Sequence, residues 1–193
     1  RAAGAEGERC LETLLTTPAT REELSCLPAE APAIIYFTSG SPAKPKGVTH
    51  SRASYGATLA SLAQAMEYAP GERLMVGCSL SHAAASMYGL AGLSLGVTLV
   101  VATESDNHAL EALLHHRQPN LLLMLPAPLM GLMHDRDLNP ADFADVRLCL
   151  SGGDKVPLQL QRDFKTAVGF SIDACLRMSE CGVATLSPPS GEN

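Results

Sequence analysis

Between residues 38 and 48 the chain reads Thr38-Ser39-Gly40-Ser41-Pro42-Ala43-Lys44-Pro45-Lys46-Gly47-Val48. Hydroxyls, glycines and lysines crowd into one short segment that follows an apolar run. Such a segment can offer backbone N–H groups, hydroxyl donors and ammonium groups to a polyphosphate. It is not a Walker A loop, which needs Gly-Lys-[Ser/Thr] opening a helix, whereas the order here is Lys46-Gly47-Val48. From generic chemistry alone, a solvated Gly/Pro turn with incidental lysines explains the same residues. His82 reads either as a site group or as the cap of the helix it precedes. Glu180 taken alone reads as an ordinary surface carboxylate. Asp154 and Lys155 fit a solvated helix start. His108, His115, His116 and His134 lack tight metal-ligand spacing and read as solvated surface.

These residues must be positioned by the elements between them. Ala33–Phe37 predicts a buried strand by its continuous apolar character. Over Ser51–Tyr68, Tyr55, Leu59, Leu62 and Met66 form a helical stripe. Further strands are expected at Arg73–Cys78, Thr98–Ala102, Asn120–Leu125, Val146–Leu150 and Ser171–Cys175, and helices at His82–Ser94, Asn107–Arg117, Ala127–Met133 and Leu158–Val168. Ser151-Gly152-Gly153 reads as a tight turn. This alternation predicts an α/β fold, three-layer α/β/α, with a largely parallel sheet and helices on both faces. The segment after Phe37 then falls at a strand's carboxyl end, where open α/β sheets bind ligands.

Composition narrows the function classes. The chain of 193 residues can bury roughly 70% of its unfolded surface as one domain. Hydrophobic residues make up 46% and charged residues 18%, which excludes a disordered or low-complexity chain. A net charge of −6 opposes broad binding to nucleic-acid phosphates, and no Trp is present for base stacking. No apolar stretch is long enough for a transmembrane segment, and no charged-then-apolar leader opens the chain at Arg1. The six cysteines form no CxxC pair and read as reduced thiols, hence a cytoplasmic protein. Residues 1–32 are broken by Pro18, Pro28 and Pro32 and are expected to be a connecting segment, with the organised domain over 33–193.

Tyr36 to Val48 resembles the signature loop of the AMP-forming adenylating enzymes, a superfamily of acyl-CoA synthetases, luciferases and peptide-synthetase adenylation domains. That pattern runs approximately Tyr-Thr-Ser-Gly-[Ser/Thr]-Thr-Gly-x-Pro-Lys-Gly-Val. Thr38, Ser39, Gly40, Ser41, Pro45, Lys46, Gly47 and Val48 match it, and His50 to Ser54 is similar to the segment that follows. Three further stretches fall in the family's order. Ser79-Leu80-Ser81-His82 resembles its Pro-x-x-His segment. Arg147 to Gly153 resembles its strand and Gly-Gly turn. Leu176-Arg177-Met178-Ser179-Glu180 falls where the family has Tyr-Gly-[Met/Leu]-[Thr/Ser]-Glu.

The resemblance implies one subdomain of an acyl-CoA synthetase-like N-terminal domain. It also implies ATP, Mg²⁺ and coenzyme A as cofactors and a small-molecule carboxylate as substrate. The remaining N-terminal subdomains and a C-terminal domain would be partners in a longer parent chain. Thr38, Ser39, Ser41 and Lys46 would then hold the β- and γ-phosphates, with Gly40 and Gly47 allowing close backbone approach. Gly152, Gly153 and Leu176 would border the adenine and acyl pockets, and Ser179 would meet the α-phosphate. Glu180 would bind Mg²⁺, and His82 would shape the carboxylate site. Two places depart from the pattern. Pro42-Ala43 stands where Thr-Gly is usual, removing an N–H and a flexible residue. Leu176-Arg177 stands where an aromatic residue and Gly are usual. The alternatives are a non-catalytic module of the same fold and an amino-acid-activating adenylation domain.

Overall fold

A computed structural model describes residues 27–38, 44–102, 107–134 and 139–186. Most of the expected connecting segment, residues 1–26, lies outside these residues. A six-stranded sheet organises the molecule, with strands in the order β4-β3-β5-β6-β7-β8. These are β3 (Arg73–Gly77), β4 (Thr98–Val101), β5 (Leu121–Met124), β6 (Leu148–Gly152), β7 (Ile172–Met178) and β8 (Gly182–Leu186). β3 to β7 run parallel, and β8 closes one edge antiparallel to β7. Every residue of β5 and β6 is buried, as in strands covered on both faces, and β5 and residues 148–150 of β6 are apolar throughout.

Alternation along the strands sorts side chains into two cores. Leu74, Val76, Leu121, Leu123, Leu148 and Leu150 pack under α1 (Arg52–Ala65) and α2 (Ala83–Ser94). Met75, Leu122, Met124 and Cys149 pack under α3 (Asn107–Arg117), α4 (Pro126–His134) and α5 (Leu158–Val168). The expected three-layer arrangement is therefore present. α1 starts at Ser51, whose hydroxyl accepts from the Ser54 N–H at 3.2 Å. Its stripe is seated as the spacing predicts, with Tyr55, Leu62 and Met66 buried and Leu59 partly so. α2 lies close on the sheet because its glycines leave room, a Cβ on Gly89 falling 3.1 Å from Leu99. No described helix is long and apolar enough to cross a membrane.

Two features depart from the sequence reading. β1 (Pro32–Thr38) does not join the parallel sheet; it pairs antiparallel with β2 (Lys46–Ser51) as a separate ribbon. It is also not fully buried. Tyr36 points inward, while Ile35 is 52% and Phe37 75% exposed, because among the described residues only one face of the ribbon is covered. The lysine- and glycine-bearing segment is consequently the connection of a hairpin, closed by the Thr38↔Lys46 pair, and not the carboxyl end of a parallel strand. β2 and β8 carry too few apolar residues in alternation to have been read as strands.

Candidate functional site

Parallel strands β3 and β5 are neighbours whose chains leave in opposite directions across the sheet, β3 connecting to β4 on one side and β5 to β6 on the other. A crevice is expected at the carboxyl ends of such a strand pair. A cleft of about 480 Å³ opens there. Cys78 follows β3 and Leu125 follows β5 into it, Gly153 follows β6, and Met178-Ser179-Glu180 lead from β7 toward β8. The first turn of α2 supplies the facing wall through His82, Ala83, Ala84 and Met87. Thus His82, Gly153, Ser179 and Glu180, distant in sequence, line one cleft.

His82 occupies the N-cap position of α2, but its side chain makes no capping bond. It is exposed toward the cleft, so the capping alternative is not realised. The turn before it is held locally: the Ser79 carbonyl accepts from the His82 N–H at 3.0 Å, and the Ser79 and Ser81 hydroxyls lie 2.8 Å apart. A serine turn thus takes the place of the proline usual at residue 79. Ser179 is half-buried and Glu180 exposed on the opposite wall.

The other expected residues sit apart. Gly152 lines a second cavity of about 330 Å³, with Ser151, Ala174, Cys175 and Thr185. A Cβ at residue 152 would fall 2.7 Å from Cys175 Sγ and 2.9 Å from its carbonyl oxygen, so glycine is required there by the approach of β7. Leu176 lies on β7, paired with Thr185. Thr38 and Lys46 face each other across the hairpin's last rung, with Lys46 exposed. At Gly47, a Cβ would sit 3.1 Å from Ile35 Cγ2, so packing across the ribbon already accounts for that glycine. Ser39, Gly40 and Ser41, with Pro42 and Ala43, lie outside the described residues. Among the described residues no group of three His, Cys, Asp or Glu side chains could hold a metal ion. His115 instead contacts Asp142 at 2.9 Å.

A polar group beneath the cleft was not read from sequence. His50 is buried, and its Nε2 donates to the Ser179 carbonyl at 2.7 Å. Its ring lies against Tyr36 and Tyr55 at centroid distances of 6.0 and 5.9 Å. Burial pushes the Tyr36 hydroxyl up to about 12, so it stays a neutral phenol and donates to Ser86 Oγ at 2.8 Å. The available signal was the period-two spacing of Val48 and His50 opposite the apolar β1.

With this geometry in place, comparison with known proteins is specific. The sequence profile of the AMP-binding enzyme family matches residues 3–193. The 3-hydroxybenzoate–CoA ligase of Aromatoleum sp. (strain CIB) is 30% identical over 82% of this chain and 29% of its own length. The polyketide synthase–nonribosomal peptide synthetase phmA of Phaeosphaeria nodorum is 28% identical over 84% of this chain and 4% of its own. Among solved structures, a malonyl-CoA ligase with methylmalonyl-CoA and AMP bound superposes with a TM-score of 0.79 at 23% identity, over 88% of this chain and 38% of that one. The chain therefore spans well under half the length of each of these proteins.

Proposed function

The chain belongs to the AMP-binding enzyme family, and from that premise we propose that it is the central part of an ATP-dependent carboxylate-activating ligase. The reaction joins a carboxylate to ATP, giving acyl-adenylate and pyrophosphate, and then passes the acyl group to the thiol of coenzyme A, giving the thioester and releasing AMP. The observation that carries this reading is the convergence of His82, Gly153, Ser179 and Glu180 on one cleft at the strands' carboxyl ends.

The first step brings two anions together, so positioning and charge neutralisation dominate its barrier. Lys46, with Thr38, Ser39 and Ser41, holds the β- and γ-phosphates and draws electron density toward the leaving pyrophosphate. Gly40 and Gly47 let the backbone come close to the phosphates. Ser179 donates its hydroxyl to the α-phosphate. His82, across the cleft, orients the attacking carboxylate. Gly152, Gly153 and Leu176 border the adenine. Glu180 suits Mg²⁺, since one exposed carboxylate is enough when phosphates and water complete the shell. The metal neutralises phosphate charge when bound. Residues 33–193 form the partial adenylation domain, and 1–32 lead into it from the rest of a longer chain.

The substrate is an apolar monocarboxylic acid. Ala83, Ala84, Met87, Tyr88 and Leu125 wall the cleft, and Glu180 is the one acidic side chain among its described lining residues. An amino acid would need a carboxylate against its α-ammonium on the α2 wall, and a dicarboxylate would need a cation there. The likeness to phmA supports an amino-acid-activating domain as a second reading. Pyrophosphate exchange in the full-length protein, across a panel of carboxylates, tests the choice. Apolar acids should support exchange and amino acids should not. Lys46→Ala should lower the rate about a hundredfold. No carboxylate-dependent exchange from any acid would leave a non-catalytic module as the better account.

A further inference from the structure

The buried group under the cleft has an arrangement that packing alone does not require. The Ser179 carbonyl belongs to the peptide that joins Ser179 to Glu180. A carbonyl oxygen can only accept, so the proton of this bond is on His50 Nε2. Fixing that oxygen fixes the peptide plane, and with it the Cα positions from which the Ser179 hydroxyl and the Glu180 carboxylate leave the chain. His50 is itself fixed, being 6% exposed and wedged between the rings of Tyr36 and Tyr55.

Tyr36 extends the connection to the opposite wall. Its single hydroxyl hydrogen goes to Ser86 Oγ, so it accepts from Tyr55 at 2.7 Å. Ser86 stands one turn into α2, and its N–H bonds to the His82 carbonyl at 3.1 Å. Tyr36 is on β1 and His50 on β2, the strands that close the Lys46 loop. Two hydrogen-bonded connections, His50 to one wall and Tyr36 to the other, meet through the contact of their rings and tie the hairpin to both walls of the cleft.

We propose that His50, backed by Tyr36, is a positioning residue: it holds the Ser179–Glu180 peptide in register with the Lys46 hairpin, so that groups from two separate sheets meet one nucleotide. The proposal rests on the roles given above to Ser179, Glu180 and Lys46. The competing account is a buried histidine that only fastens the ribbon to the sheet.

Two substitutions at residue 50 separate the accounts. His50→Gln keeps an amide N–H able to reach the Ser179 carbonyl, whereas His50→Leu fills the space with no donor. In the full-length ligase, His50→Leu should raise KM for Mg-ATP and lower kcat, each about tenfold, and leave KM for the acid within about twofold. His50→Gln should restore most of both losses. Tyr36→Phe, which removes one oxygen and keeps the ring, should shift the same parameters in the same direction by a smaller factor, and it serves as the test if His50→Leu does not fold. Equilibrium titration of each variant with Mg-ATP gives a readout free of turnover, and Kd should follow KM. The proposal is overturned if His50→Leu lowers the melting temperature but leaves the nucleotide parameters unchanged. It is overturned equally if Gln and Leu are impaired alike, or if the loss falls on the acid alone. A wild-type protein that binds no Mg-ATP and catalyses no exchange overturns the ligase reading itself, an outcome distinct from any pattern among the variants.

Discussion

The two faces of the central sheet are built from nearly the same ring, with and without one oxygen atom. All four tyrosines of the chain, Tyr36, Tyr55, Tyr68 and Tyr88, are buried on the face covered by α1 and α2. Phe143, Phe164 and Phe170, three of the four phenylalanines, lie on the face covered by α3, α4 and α5. There the rings stack edge to face, Phe164 meeting Phe143 at 5.8 Å and Phe170 at 5.4 Å. A phenylalanine asks only for neighbours, whereas a buried tyrosine must also find a hydrogen-bond partner. Tyr36 finds Ser86 and Tyr55, and the Tyr68 hydroxyl donates to the Tyr88 carbonyl at 3.2 Å. The face beside the cleft therefore has fixed directions as well as fixed volume, and the far face supplies volume.

The largest effect should come from the far face. Phe164→Ala empties a fully buried position and should cost about 3–5 kcal/mol of stability, read by denaturant unfolding. Mg-ATP affinity of the folded fraction should not change. A weakened affinity would mean that the phenylalanine face also governs the site, and the contrast would fail.

A smaller effect lies at the opposite end of the sheet from the cleft. Arg147 donates to both carboxylate oxygens of Glu72, at 2.6 and 2.9 Å, and to the Glu67 carbonyl at 2.8 Å, where α1 ends. The Arg147 hydrogen bond holds the Glu72 carboxyl below its ordinary value. A carboxyl depressed in the folded state stabilises at pH above its unfolded value of about 4.3, and that contribution is lost as pH falls through the native value. Glu72→Gln should therefore cost about 1 kcal/mol near neutral pH, and wild type and variant should converge in acid. A difference that persists in acid would assign the loss to packing.

The smallest effect sharpens the contrast on the tyrosine face. Asp173 follows Ile172 on β7, and burial holds its carboxyl above the ordinary range. Its charged form is thus disfavoured by folding, and wild type gains stability as pH falls through the raised native value. Asp173→Asn should stabilise by about 0.5 kcal/mol at neutral pH, with the gain shrinking toward the ordinary carboxylate value of about 3.9. Thermal unfolding at neutral and acid pH checks this, and a loss of stability at neutral pH would indicate a favourable partner for the charge.

What could be read from the sequence follows from how each element is covered. Residues 74–76 of β3, 121–124 of β5 and 148–150 of β6 are buried on both faces, so these runs are continuously apolar and stood out at once. β2 reads Lys-Gly-Val-Thr-His-Ser and has one partly buried aliphatic residue, so the period-two spacing of Val48 and His50 was too short a pattern to announce it. Its partner β1 was legible as a strand, but its place outside the sheet was not, since pairing direction is a property of two segments. His82, Gly153, Ser179 and Glu180 were found only because their surroundings resemble a family pattern. Local propensity marks none of them. The His50–Ser179 bond joins residues 129 positions apart and involves a backbone oxygen, which carries no trace in residue type.

The hairpin has a consequence for how this protein can vary. Thr38 and Lys46 occupy one rung of the ladder, so both ends of the intervening segment are anchored whatever lies between them. No strand of the six-stranded sheet takes its register from that segment. The scaffold keeps its alignment when that segment changes, so what constrains Ser39, Gly40 and Ser41 is the phosphate contact proposed for them and not the fold. The Pro42-Ala43 pair falls between the same two anchors, where an unusual sequence costs the fold little.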